Sequence, residues 1–304
     1  MDLVISGILL GGLYGLASLG LALMFGVLKL VNLAHGHFLV LGALLSSILI
    51  SRLGEDALFT GVLLAIGMGV LGYFLQRWLL EYVLRRSPEA TIPITFALGV
   101  VITSSLLLSI GSDPRVVNAS YSTASTNLFG YPVRLSLLLA LAVSIAASVG
   151  LYFLIERTHF GAQVRAAAHD SDSAEMAGIN VSHSFAIVAA IAIAITSLAG
   201  TMVGLSFSVD PVSGPGWLVR AFTVVVLGGL GSIPGTAIGA MILGLAEVFG
   251  AAAIGAQYRD LVVFGLLVVV LIVRPQGLAS LLSVPEKWKR KKPEASPSST
   301  GVSA

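Results

Sequence analysis

The sequence contains no cysteine and few charged residues. Asp, Glu, Lys and Arg together make up only 11% of the 304 residues, and cysteine is absent. The absence of cysteine excludes disulfides, catalytic thiolates and cysteine metal sites, although it names no cellular compartment. Soluble domains carry about 25% charged residues, so this shortage of charge excludes an ordinary soluble protein. The net charge of +2 is small, which argues against nucleic-acid binding.

Nucleotide-binding and catalytic motifs are also absent. The sequence has no Gly-Lys dipeptide and therefore no G-x-x-x-x-G-K-[ST] phosphate loop. It has no H-E-x-x-H motif, and His35 and His37 are two residues apart, which places them on different faces of a helix. The segment GGLGSIPG lacks the G-x-S-x-G spacing of a nucleophile elbow. We therefore predict no catalytic residue, no metal site and no bound cofactor.

What the chain does contain is a series of long apolar runs. Apolar residues make up 56% of the sequence, and its mean hydropathy is +0.97. Runs that stay apolar for about 20 residues predict helices that span a lipid bilayer, because membrane strands would alternate with polar positions. We predict an all-α, polytopic helical bundle of about eight spans. The membrane domain is predicted to cover residues 1–284, followed by a basic and then disordered tail, 285–304.

Glycine patterns refine this expectation in two places. Gly11, Gly12, Gly15 and Gly20 lie in the first span, and small residues allow close helix packing in lipid, so this span is predicted to be internal. Later, the apolar run 221–227 is too short to cross the membrane and is interrupted by GGLGSIPG. A broken helix or re-entrant hairpin is expected there, in a place surrounded by protein or a water-filled cavity.

A few polar groups and glycines near membrane depth are candidates for the translocation pathway or its gate. Such polar groups are costly unless they face a cavity or a partner. The alternatives remain open: Asn32 and His35 would equally cap a helix end, and Glu247 would equally make a helix–helix hydrogen bond. The complete candidate set is Asn32, His35, Gly36, Gly228, Gly229, Gly231, Ser232 and Glu247.

The polar stretch 156–182, here named the coupling loop, is the predicted docking surface. Its composition predicts a helix over 161–169, a second turn opened by a capping box from Asp172 to Glu175, and a stop at Gly178. Val164, Ala167 and Ala168 form a small apolar face at helical spacing. We interpret this face as one that another protein contacts closely. The alternative is a solvated connector without a partner.

The distribution of basic residues predicts the orientation. If the spans alternate and the tail is cytoplasmic, twelve Lys and Arg residues lie on the inner side and five on the outer side. The coupling loop is then cytoplasmic, the N-terminus lies outside and the C-terminus lies in the cytoplasm. The five outer residues are Arg52, Arg115, Arg134, Arg220 and Arg259.

Four separated motifs resemble one known family. They are GLYGLASLGLALMFGVLKLVNLAHG near the start, RTHFGAQVRAAAHDSDSAEMAGINV in the coupling loop, VVLGGLGSIPGTAIGAMILGLAE and the closing RPQGL. In this order they are similar to the LivH-type permeases of branched-chain amino-acid ABC importers. The chain departs from the common family pattern at His169, where an acidic residue is frequent, and at Met24 and Phe25, where Ile-Tyr is frequent.

The resemblance implies a set of partners. They are a second, LivM-like permease, two cytoplasmic ATPase subunits that bind ATP and magnesium, and an extracytoplasmic solute-binding protein, all at a bacterial-type inner membrane. It also implies that the coupling loop holds a helix that fits a groove on the ATPase. The predicted ATPase-coupling residues are Gly161, Arg165, Ala166, Ala167, Ala168, Asp170, Ala174, Gly178 and Ile179.

The predicted function is ATP-driven alternating access that imports branched-chain or related amino acids. The alternatives are a secondary transporter or facilitator of a small polar solute, and a membrane-embedded enzyme. The substrate stays open, because related permeases also serve other amino acids, amides, urea and aromatic acids. Pairing of the permease with itself or with a different chain stays open too.

Overall fold

The computed structural model describes residues 2–54, 56–119, 121–122, 124–128 and 130–273. Within these ranges, eight helices are long and apolar enough to cross a membrane, and the only paired strands form one short hairpin. The prediction of an all-α, polytopic bundle is confirmed. The predicted tail, 285–304, and the closing motif, 274–278, lie outside the described residues.

Twelve α-helices and one hairpin make up the described chain. The long helices alternate in direction, so that the coupling loop lies at one end of the bundle and the hairpin at the other. The elements are α1 (Asp2–Leu28), α2 (His35–Leu53), α3 (Ala57–Phe74), a π-helical turn (Leu75–Leu80), α4 (Glu81–Arg86), a 3-10 turn (Pro88–Ala90), α5 (Thr91–Ile110), β1 (Ser125–Leu128), β2 (Tyr131–Arg134), α6 (Leu135–Arg157), α7 (His159–His169), α8 (Ser171–Met176), α9 (Val181–Ser206), α10 (Gly214–Gly228), α11 (Ile233–Ile254), a 3-10 turn (Ala256–Tyr258) and α12 (Arg259–Val273).

Helix α1 lies at the centre of the bundle, as its glycines predict. Of its most apolar 18-residue window, 89% is buried. A Cβ atom at Gly12 would lie 2.6 Å from Leu141 of α6, and one at Gly11 would lie 2.9 Å from the Ala240 carbonyl of α11. On a third side, Gly20 contacts Thr196 of α9. Neighbouring backbones therefore approach α1 as closely as only glycine permits.

Helix α2 begins beside the middle of α1 and not at its end. His35, the first residue of α2, places its Nε2 atom 2.8 Å from the Ala17 carbonyl oxygen, eleven residues before the end of α1 at Leu28. The intervening segment 29–34 therefore turns back into the bundle. Helix α10 starts nearby, since a Cβ atom at Gly36 would lie 2.8 Å from the Leu218 nitrogen.

Helices α10 and α11 form the broken element that the sequence predicts. The 15 residues of α10 extend about 22 Å, less than the roughly 30 Å hydrocarbon core of a bilayer. The turn that follows places Gly231 at φ +83°, a conformation that glycine adopts without strain. A Cβ atom at Gly231 would lie 2.6 Å from the Gly26 Cα atom. The turn therefore packs against the last part of α1.

The helix that begins with α3 is longer than its sequence indicates. The segment EYVLRRSPEAT, 81–91, is basic and contains proline, a composition that predicts a turn, but the helix continues through the π-helical turn and α4 to Arg86. Glu81 holds this extension in place, because its carboxylate accepts hydrogen bonds from Arg77 at 3.0 Å and from Ser182 of α9. The polar, turn-forming composition of 111–134 fits either a short surface helix or a hairpin, and the structure shows a hairpin, β1 with β2.

Candidate functional site

The coupling loop folds into two short helices, each capped by a side chain. Thr158 Oγ1 accepts a hydrogen bond from the Gly161 nitrogen at 3.0 Å, which starts α7. Asp170 Oδ1 accepts from the nitrogens of Asp172 and Ser173 at 3.1 and 3.2 Å, which starts α8. The predicted capping box at Asp172 is therefore wrong, because the cap lies two residues earlier. Hydrogen bonds from Ser173 also lower the pKa of the exposed Asp170 carboxyl.

The end of the loop matches the prediction. Gly178 has φ +84° and follows Ala177, the C-cap residue of α8, so the left-handed stop is confirmed. Ile179 is half-buried beside Phe185 at the start of α9.

The small apolar face of α7 points into the protein and not outward. Val164 is fully buried and Ala167 is 1% exposed, both against the chain's own helices. Ala174 of α8 joins Ala167 in the same cluster. The prediction that this face contacts another protein is wrong, because a helix uses its apolar stripe to attach to its own core first. The outward face of α7 consists of Ala162, Gln163, Arg165, Ala166 and His169.

Two of the predicted coupling residues attach α7 to the end of α6. Arg165 donates a hydrogen bond to the Ile155 carbonyl and lies 3.7 Å from the Glu156 carboxylate. Gly161 contacts the same carbonyl, where a Cβ atom would not fit. These contacts join α7 to the last turn of α6.

A cavity of about 170 Å³ links the two groups of predicted residues. Arg165 and Ala168 of α7 line it on one side, and Gly26 and Gly231 line it on the other. The glycine turn between α10 and α11 thus lies beside the coupling loop. Ser232 caps α11 by accepting a hydrogen bond from the Gly235 nitrogen at 3.1 Å. Gly228 and Gly229 belong to the same turn, at the end of α10.

Asn32 and His35 both make hydrogen bonds inside the bundle, but neither side chain caps α2, whose N-cap residue is Ala34. Asn32 Oδ1 accepts a hydrogen bond from the Ala34 nitrogen at 3.0 Å, just before α2. Besides its bond to α1, the His35 ring lies 3.4 Å from Thr196 Oγ1 of α9. Both side chains are 2% exposed. Through His35, α2 is joined to α1 and α9. Their role in a pathway stays a prediction.

Glu247 is bonded to groups that sequence reasoning missed. Its Oε2 atom accepts a hydrogen bond from the Tyr14 hydroxyl at 2.6 Å and lies 3.9 Å from Nε of Arg220. Arg220 also donates from Nη2 to Asp260 Oδ1 at 2.6 Å. The helix–helix hydrogen bond anticipated for Glu247 is therefore present. The available signal was Arg220, a charge directly before the apolar run that precedes the broken turn.

These side chains line a cleft of about 360 Å³, here named the central cleft. It opens on the end of the bundle opposite the coupling loop, where α9 ends and α12 begins. Trp217 forms one wall and contacts the ring of Tyr14 edge-on, with the ring centroids 6.2 Å apart. The complete lining is Tyr14, Phe207, Ser208, Ser213, Gly216, Trp217, Arg220, Glu247, Arg259 and Asp260.

The described residues contain no group of three or more His, Cys, Asp or Glu side chains placed to hold a metal ion. What they form instead is a glycine-packed bundle with a broken helix, a polar cleft entering from one end and a capped helix pair at the other. These features define an integral, multi-pass membrane transport protein.

Comparisons with known proteins identify the family. The family model described as "Branched-chain amino acid transport system / permease component" matches residues 3–271. The permease BraD of Pseudomonas aeruginosa is 30% identical over 292 residues, 90% of this chain and 94% of BraD. LivH of Escherichia coli is 30% identical over 287 residues, 90% of this chain and 93% of LivH. The chain therefore belongs to the permease family of branched-chain amino acid transport systems.

A further relative has a different substrate in its name. The fructose import permease FrcC of Rhizobium meliloti is 26% identical over 258 residues, 81% of this chain and 69% of FrcC. No solved structure matches the chain. The family is a transport component and not an enzyme family.

Proposed function

We propose that this chain is the membrane permease of an ABC importer that moves branched-chain or related amino acids into the cytoplasm by alternating access. Partner ATPases bind and hydrolyse the ATP, a second permease completes the pathway and an extracytoplasmic binding protein delivers the solute. The protein lies in the inner membrane, with the coupling loop and the C-terminus in the cytoplasm and the N-terminus outside.

The observation that carries this proposal is the attachment of α7 to the bundle. Val164 and Ala167 hold the inner face of α7 against the chain's own core, and Arg165 bonds the end of α6. The outer face, with Ala166 at its centre, remains exposed. A partner that pushes on this face moves α6 and the glycine turn at Gly231 together, because rigid packed elements transmit displacement.

The relatives support the substrate class. Both BraD and LivH are named as branched-chain amino acid permeases, and the match covers nearly all of this chain. FrcC is named as a fructose permease, so the same scaffold serves different solutes. The binding protein is expected to make most of the choice between them.

A charge inserted on the outer face of α7 tests the proposal. The chain is co-expressed with its partners and reconstituted in proteoliposomes, where ATP-dependent leucine uptake and ATP hydrolysis are measured. We expect Ala166→Glu to lower uptake by about a hundredfold, because an unpaired charge at a docked interface costs several kcal/mol. ATPase stimulation by the binding protein should be lost as well, with the permease still present in the membrane.

The control is Thr126→Glu, which places the same charge on the exposed hairpin at the other end of the bundle. Uptake by this control should stay near the unmodified level. Full uptake by Ala166→Glu would disprove the coupling role of α7. Solute accumulation by the purified chain alone would instead identify a secondary transporter.

A further inference from the structure

We propose that the central cleft binds a zwitterionic α-amino acid with an aliphatic side chain, as a low-affinity stop on the route through the membrane. The inference rests on the proposed function, since it names where this chain itself holds the transported solute. It adds a location for the solute within this chain, which family membership does not supply. The cleft volume of about 360 Å³ falls within the roughly 300–1,000 Å³ range of small-molecule pockets.

The Glu247 carboxylate in the central cleft has one oxygen atom that accepts no hydrogen bond from the described residues. Glu247 is 2% exposed and lines the cleft. Its contacts with Tyr14 and Arg220 both involve Oε2, and among the described residues no hydrogen bond reaches Oε1. Oε1 does not belong to the fully enclosed side-chain atoms of the bundle that lack a partner, so it is accessible from the cleft and still lacks a donor in the part of the chain that the structure describes. An ammonium group in the cleft would supply that donor.

Acidic and basic side chains alternate along the wall of the central cleft. Glu247 and Asp260 lie at 3.9 and 2.6 Å from the Arg220 guanidinium. Arg259 lines the same cleft and has no ion-pair partner among the described residues. Two positive and two negative side chains leave the cleft with no formal net charge. An α-amino acid matches this pattern, because its ammonium and carboxylate groups are attached to a single carbon atom.

Helix α10 begins at the wall of the central cleft. Ser213 and Gly216, at the start of this 15-residue helix, line the cleft. The first backbone N–H groups of a helix have no partner within it, and this end carries partial positive charge. In α10, Pro215 has no N–H and the Trp217 nitrogen donates to the Ser213 carbonyl, which leaves the Gly216 N–H at the cleft. A carboxylate near Ser213 would therefore meet the helix start and the Arg220 guanidinium on the same side. The ammonium group would then face Glu247 and Asp260.

Aromatic rings form one wall of the central cleft. Trp217 contacts Tyr14 at 6.2 Å and Phe207 at 6.4 Å between ring centroids. Arg220 lies 5.8 Å from the Trp217 ring centroid, which fixes the guanidinium beside the ring. An aliphatic side chain packed against these rings would be removed from water without needing a polar partner.

The test uses the fluorescence of Trp217. The complete transporter, without its binding protein, is placed in nanodiscs of phosphatidylglycerol, which contain no zwitterionic lipid. It is titrated with leucine, with leucinamide, which lacks the carboxylate, and with 4-methylpentanoate, which lacks the ammonium group. We expect a saturable change with leucine, and binding about tenfold weaker or more for each analogue, because each loses one charge contact.

Matched variants assign the signal to the cleft. Trp217→Phe should abolish the fluorescence change, whereas Trp78→Phe should retain it, because Trp78 lies in the π-helical turn outside the cleft and is 71% exposed. Asp260→Asn should weaken leucine binding about threefold to tenfold. The ligand series on the unmodified complex keeps the test decisive even where a variant misfolds.

Three outcomes would overturn the inference. They are equal binding of leucine and leucinamide, a signal that appears only after phosphatidylethanolamine is added, and no saturable signal from a complex that imports leucine. The third outcome, no saturable signal, would leave the proposed function intact. Conversely, leucine binding at Trp217 in a preparation without ATP-dependent uptake would refute the proposed function and keep the site.

Discussion

Helix α1 and the last span, which contains α12, have the same mean hydropathy of 2.0 but opposite surroundings. In their most apolar windows, 89% of α1 is buried by its own chain and only 6% of the last span. Helix α12 presents Leu261, Phe264, Val268 and Ile272 to the outside, each at least half exposed. In the membrane these side chains meet lipid or another chain.

The difference follows from glycine and not from hydropathy. Helix α1 carries six glycines, and each has a neighbouring atom within 3.0 Å of the position a Cβ would occupy. Gly265, the single glycine of α12, has no neighbouring atom from the described residues within 4 Å of its Cβ position. Because lipid is as apolar as leucine, helices gain from association in a membrane mainly through close contact. Hydropathy thus identifies a span, and small residues identify its inner faces.

The largest effect is expected when a side chain is added at a glycine in a buried helix–helix contact, compared with one added at a glycine on the exposed helix α12. Gly244 of α11 faces α1, and a Cβ atom there would lie 2.6 Å from the Gly11 Cα atom. Gly244→Leu should lower the free energy of unfolding by about 3 kcal/mol or more, because two backbones must separate. Gly265→Leu should change it by less than about 0.5 kcal/mol. Reversible unfolding in mixed detergent micelles measures both, and equal effects would refute the comparison.

A smaller effect is expected when the hydroxyl group is removed from one buried and one exposed tyrosine. Tyr14→Phe removes the hydrogen bond to the buried Glu247 carboxylate, a charge-assisted bond worth about 2 kcal/mol. Tyr258, in the turn before α12, is 47% exposed, so Tyr258→Phe should be nearly neutral. The unfolding midpoints of the two purified variants compare them directly. An unchanged Tyr14→Phe midpoint would mean that the bond contributes no net stability.

The smallest effect concerns two leucines. Leu13 of α1 is fully buried and Leu261 of α12 is 62% exposed. Leu13→Ala should cost about 1–2 kcal/mol of unfolding free energy, since it leaves a cavity although the transfer to lipid itself is nearly neutral. Leu261→Ala should cost little in the isolated chain. If Leu261→Ala proved equally costly in the assembled transporter only, α12 would be identified as a contact with the second permease.

Much of the fold could be predicted because it depends on local signals. The spans follow from apolar length, the interior position of α1 from its glycines, and the break after α10 from GGLGSIPG. These signals act within a few residues of the structure they determine. The predicted orientation also uses only local charge, and it stays a prediction.

The errors arise where tertiary contacts decide. Val164 and Ala167 form a good apolar stripe, but sequence does not tell whether a stripe faces a partner or the chain's own core. Asp172 and Asp170 are both acceptable caps, and the turn before α8 selects Asp170. Tyr14 and Glu247 are separated by 233 positions, so no local pattern connects them. The roles predicted for the coupling and pathway residues await the experiments above.

The π-helical turn after α3 has a consequence for comparing this chain with its relatives. An α-helix turns about 100° per residue, and a π-helical turn takes up one residue more than an α-helical turn. A residue beyond the wide turn therefore lies on the face that the preceding residue would occupy in an uninterrupted α-helix. Glu81, directly after the turn, reaches Ser182 of α9 in this register. A relative that is one residue shorter and lacks the wide turn would keep the same side chains facing α9. The alignment gap then belongs between Leu75 and Leu80, and a gap placed after Arg86 would pair Glu81 with the wrong residue of the relative.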